Sequence, residues 1–120
     1  MRRRRGCGGR EAPRDRAREA RTIALQFTAS LRPGFGDEAR QINNAAGSVV
    51  RYVCEGADRW RPLEKVLKFE IAAGEAGEAA GAIQSLLDAG IGDAGLGLSA
   101  IDALGRVSAI LTGLIRKHRP

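Results

Sequence analysis

Aromatic side chains are scarce in this chain of 120 residues: three Phe, one Tyr and one Trp. Hydrophobic residues still make up 43%, so any core must be built from small aliphatic side chains. Histidine occurs once, at His118. Ser/His catalysis and zinc chemistry therefore lack their usual parts, and no metal or other cofactor is expected. Cysteine occurs twice. Cys7 and Cys54 make no disulfide framework and read as free thiols in a reducing, cytoplasmic setting. Long apolar runs are missing too. Stretches such as Val107 to Ile115 fall short of the roughly 20 residues that cross a bilayer. No apolar segment follows Arg2–Arg5, so export is not expected.

What the chain does have is arginine, and its placement is uneven. Residues 1–22 hold nine Arg against three acids, and the rest of the chain is balanced, with eleven bases against eleven acids. The whole net charge of +6 thus sits in the head. Residues 1–13 read as a disordered Arg/Gly-rich arm, since Arg2–Arg5 repel one another and Gly6, Gly8 and Gly9 are flexible. Arg2, Arg3, Arg4, Arg5, Arg10, Arg14 and Arg18 are the candidate phosphate contacts, through charge alone and without sequence preference. A GC-rich genome yields the same composition with no dedicated role for the arm.

Residues 14–118 read as an all-α, antiparallel up-down four-helix bundle. Ala20, Ile23, Ala24, Phe27 and Leu31 mark a first helix from about Pro13 or Arg14 to Leu31. Ile42, Ala45, Ala46, Val49, Val50 and Val53 mark a second, capped by Asp37 and ended at Gly56. Val49-Val50 also suits a strand, but no second strand of that type exists. A third, long helix starts at Pro62. Its middle (72–82) carries almost no side-chain bulk. Glycines there suit close approach of another backbone; local fraying is the alternative. Gly90, Gly92, Gly95 and Gly97 read as a turn. A fourth helix is expected from Ser99 to about Arg116, with Ser99 as its cap. Connections this short favour consecutive antiparallel helices.

Helices 2 and 3 carry a resemblance. Gln41-Ile42, Ala45-Ala46, Ser48 and Glu55-Gly56, followed by Arg59, Glu64, Phe69, Ile71-Ala72, Gly74 and Glu78, are similar to the pattern of a bacterial four-helix-bundle family. That family is named for proteins encoded in 23S rRNA intervening sequences. The match covers about residues 39–90. Val50 and Tyr52 depart from the family's Pro and Asn, Lys65 and Lys68 replace apolar or aromatic side chains, and Arg61 replaces a serine. The resemblance implies a non-enzymatic homo-oligomer, often a ring of five. It also implies a kinship with the nucleic-acid- and reverse-transcriptase-binding accessory protein of diversity-generating retroelements. RNA or DNA is thus one expected partner; a protein-interaction scaffold is the other reading.

Residue by residue, structural roles predominate. Glu55 is expected to be buried and paired with Arg59 across the helix 2–3 corner, because an unpaired buried carboxylate is costly; general acid/base work would need a second group and a pocket. Gln41 and Ser48 lie seven apart on one face and suit a hydrogen bond between helices or to the helix's own backbone. Glu64, Glu75 and Glu78 lack the histidines of a di-iron bundle. Cys54 reads as a small core residue. Trp60, in a turn, is expected to serve packing or an interface in preference to base stacking. The balanced body adds no net attraction for nucleic acid, so contact is expected to rest on residues 2–21.

Overall fold

In the computed structural model, which describes residues 12–120, the helical periodicities become four α-helices. They are α1 (Pro13–Ala29), α2 (Gly36–Asp58), α3 (Pro62–Asp88) and α4 (Ala94–His118). Each helix packs on its chain neighbours, and α4 closes the ring by packing on α1; the diagonal pairs stay apart. Adjacent helices run antiparallel. The start of α1 meets the end of α2 through Arg14 and Asp58, and the start of α3 meets the end of α4 through Glu70 and Arg119. Among the described residues there is no strand, so Val49-Val50 follow the helical spacing of their neighbours.

The core is made of small side chains. Ala17, Ala20, Ala24, Ala72, Ala76, Ala79 and Ala100 are fully buried, so the helices approach closely. Phe27, Ile42, Val49, Val53, Ile83, Leu104, Val107 and Leu111 fill the remaining space. Phe27 seals the end where α1 stops. A Cβ on Gly92, whose φ is 88°, would lie 2.7 Å from its ring, so this position requires glycine on both counts.

Helix ends depart from expectation. α1 stops at Ala29, and Leu31 packs from the connection beyond it. α2 starts at Gly36, with Phe35 in the cap position and no side-chain cap. Asp37 instead pairs with Arg40 at 2.6 Å within the first turn. Gly56 does not end α2, which runs on to Asp58. α4 starts five residues before Ser99, because Asp93 Oδ1 accepts the Leu96 N–H at 2.9 Å. Gly97 lies inside this helix, where a Cβ would come within 2.8 Å of Leu87.

The glycines of α3 lie on its outer face. The helix is continuous, and its alanines face the core while Gly74, Gly77 and Gly81 are exposed with no atom near an added Cβ. Close packing of α3 therefore comes from Ala72, Ala76 and Ala79. α4 is long and apolar enough to cross a membrane by length and composition, with a window of mean hydropathy 1.5. Within the bundle its apolar stripe (Ala100, Leu104, Val107, Leu111) is spent on the core.

Candidate interaction surfaces

The α2–α3 corner gathers most of the residues singled out from the sequence. Only Arg59 to Arg61 join the two helices. The Cβ that Gly56 lacks would sit 2.6 Å from the Phe69 ring, so glycine here lets α3 press its aromatic ring onto α2. Glu55 is half-buried, and its partner is not Arg59. Lys68 Nζ lies 3.1 Å from Glu55 Oε1, while Arg59 and Arg61 share Glu64, each at 3.8 Å. Arg59 closes α2 with extended backbone, and its side chain is directed to Glu64 at the start of α3. Lys65 Nζ donates to the carbonyls of Gly56 and Ala57, both at 3.2 Å. It thereby caps the Ala57 carbonyl and adds a second donor to that of Gly56, which also accepts the Arg59 N–H at 3.3 Å.

Two departures from the family pattern, Tyr52 and Lys68, meet in space. Tyr52 is flanked by two cations, Arg51 at 4.8 Å and Lys68 at 5.5 Å from its ring centroid. Hydrogen bonding with Tyr52, aided by the fields of Glu55 and Glu75, holds the Arg51 guanidinium above its ordinary pKa. Ser48 Oγ accepts from Arg51 at 3.5 Å, a long contact, and Gln41 is exposed. The two do not meet across helices. Gly74 and Glu78 lie on the outer side of α3, away from the corner.

That outer side is the second surface. Leu63, Leu67 and Ile71 are 62%, 59% and 42% exposed. Their spacing puts them on one stripe, which continues through Gly74, Glu78 and Gly81. A bulky apolar half thus leads into a flat one. Trp60, just before the stripe, is 90% exposed. The residues on either side of it are extended, with Arg59 at ψ 148° and Arg61 at ψ 126°; the residue before Pro62 is confined to that region. Beside it lies an open apolar hollow of ≈ 480 Å³ walled by Arg61, Pro62, Leu63, Glu64 and Pro120.

Of the candidate phosphate contacts, Arg14 pairs with Asp58 at 2.6 Å and Arg18 with Asp15 at 3.6 Å. Arg2, Arg3, Arg4, Arg5 and Arg10 lie outside the described residues, as does Cys7; Cys54 is a half-buried free thiol. A smaller hollow of ≈ 190 Å³ between α1 and α4 holds Glu19 and Asp102. Both carboxylates are engaged there, with Arg16 at 2.9 Å and Arg106 at 3.1 Å. Among the described residues no three His, Cys, Asp or Glu side chains converge as a metal site.

The solved structures supply a comparison at this point. The fold is similar to the crystal structure of a protein of unknown function from the S23 ribosomal protein family of Bacteroides thetaiotaomicron, with a TM-score of 0.61. The match spans 84% of this chain and 98% of that one at 15% identity. A likeness this distant in sequence speaks to the fold, and it agrees with the resemblance read from residues 39–90. No family model matches the sequence, and no curated protein does.

Sequence reasoning missed Lys65 and Lys68 as corner residues, the exposure of Trp60, and the Asp93 cap. Asp93 had a signal: an acid three residues before Leu96 ahead of an apolar periodic run.

Proposed function

We propose that the protein is a non-enzymatic, cytoplasmic four-helix bundle that assembles with copies of itself and holds nucleic acid through basic side chains. The observation behind assembly is the outer face of α3. Three large apolar side chains at 62%, 59% and 42% exposure form a contiguous stripe of the kind that marks association sites. The motif resemblance over residues 39–90 supports a ring of five and a reverse transcriptase among its partners. The nucleic-acid reading draws on the excess of arginine in residues 1–22.

Two measurements test this. Light scattering of the full chain at micromolar concentration should give a multiple of the monomer mass, and a monomer throughout would overturn the assembly. Oligonucleotide binding should weaken steeply with salt and lose affinity on deletion of residues 1–13; unchanged affinity in the truncated chain would remove the arm from the mechanism. The same α3 stripe suits a different protein as its occupant. A partner captured from nuclease-treated lysate that competes with self-association, with no nucleic-acid affinity in the purified chain, would favour that scaffold reading.

A further inference from the structure

The bundle is electrically polar along its length, although its total charge is small. A plane at mid-height passes near residue 21 of α1, 50 of α2, 74 of α3 and 112 of α4, judged from the pairings of Arg14 with Asp58 and Glu55 with Lys68 and from the packing of Leu87 on Gly97. The half at the start of α1 (residues 12–21, 51–74 and 112–120) holds twelve bases against six acids. The other half of the described chain holds three bases against seven acids.

Pairing sharpens the contrast. All six acids of the basic half are engaged: Asp15 with Arg18, Glu19 with Arg16, Glu55 with Lys68, Asp58 with Arg14, Glu64 with Arg59 and Arg61, and Glu70 with Arg119. Arg116 and Lys117, in the last turn of α4, and Arg21 and Arg51, near mid-height, face solvent with no carboxylate in salt-bridge contact among the described residues. Residues 1–11, with five more Arg and one Glu, join the chain at this same end. Trp60 also stands here, 90% exposed between Arg59 and Arg61, next to the apolar hollow.

We propose that Trp60 is a base-stacking platform for single-stranded nucleic acid, set in a basic rim formed by the ends of α1, α3 and α4. This deepens the nucleic-acid reading and rests on it. An indole plane stacks on any base, and surrounding cations track the phosphates; together they form the usual single-strand site. An indole that gains nothing from its own core is free to do this, and the paired acids leave the local field positive. The balanced charge of residues 23–120 concealed the site, because acids at one end cancel bases at the other.

Trp60 is the sole tryptophan, so its fluorescence reports on this position alone. The full chain is titrated with a short oligothymidylate while anisotropy of a labelled strand measures binding independently. Trp60 emission should be quenched in proportion to saturation. Trp60→Ala should weaken binding by about 5- to 150-fold with the salt slope unchanged. An Arg116→Gln, Lys117→Gln double variant should keep the quenching and lower the slope by about 1.4. Binding that leaves Trp60 unquenched, or a Trp60→Ala variant of full affinity, overturns the platform while the nucleic-acid reading stands. No binding by anisotropy overturns both. A blue-shifted Trp60 with anionic vesicles and no response to the strand assigns the rim to a membrane surface instead, and emission that changes only with protein concentration assigns Trp60 to the contact between copies.

Discussion

Two residues at the corner carry more than their chemistry suggests. Gly56 is valuable for an absence: the Phe69 ring occupies the place of its Cβ. Gly56→Ala should gain the helix propensity of alanine, about 1 kcal/mol, and lose more than that through overpacking, about 1–3 kcal/mol. The expected result is a net loss, read as a lower urea midpoint at unchanged slope. Lys65 stabilises by pointing back at the end of α2. Lys65→Met keeps most of the aliphatic stem and removes two hydrogen bonds, each worth about 0.5–1.5 kcal/mol; the Gly56 carbonyl keeps the Arg59 N–H, which places the outcome toward the low end. The corner was legible in part. Glu55, Gly56, Arg59 and Glu64 are indeed near one another, but Glu55 pairs with Lys68. Spacing along one helix shows which residues share its face, whereas the partner across a corner depends on where the next helix returns. Lys68 lies thirteen residues from Glu55, beyond the reach of that arithmetic.

At the level of elements, the periodicities placed four helices and the core faces of the first two, and the errors lie at helix ends. α4 began early because a local hydrogen bond to Asp93 outweighs the low propensity of Gly95 and Gly97, and because Gly97 is wanted against Leu87. In α3 the angle alone separates the two kinds of small residue: Ala72, Ala76 and Ala79 fall with Phe69, while Gly74, Gly77 and Gly81 fall with Leu67. Counting small residues without sorting them by face leaves the two kinds indistinguishable. The sorted face makes a prediction. Gly74→Ala meets nothing within 4 Å in the single chain, so it should raise monomer stability by about 0.5–1 kcal/mol. If the flat half of α3 receives a second copy, the same change should weaken assembly. Chemical denaturation of dilute protein and light scattering of concentrated protein should then move in opposite directions.

The whole molecule combines an apolar stripe on one side with a charge gradient from end to end, and the proposed assembly would have to accommodate both. Leu67 lies at the middle of the stripe, 59% exposed. Leu67→Glu should therefore leave helicity and unfolding midpoint nearly unchanged while abolishing the assembly; a variant that scatters as wild type would move the contact elsewhere. Cyclic symmetry keeps equivalent surfaces together. In a ring whose axis runs along the bundle, every basic end meets on one rim, and the apolar contact must overcome repulsion between those ends. Raising salt shortens the reach of that repulsion to about 3 Å at 1 M, so the ring should strengthen with salt. A single-stranded polyanion neutralises the same rim, so oligonucleotide at low salt should also raise the mass per particle beyond the ligand's own contribution. Copies that alternate in direction would place basic ends beside acidic ones, and salt would then dissolve the assembly. The sign of the salt effect on self-association thus decides between a ring with one basic rim and an alternating stack. It does so without any substitution, on the chain as it stands.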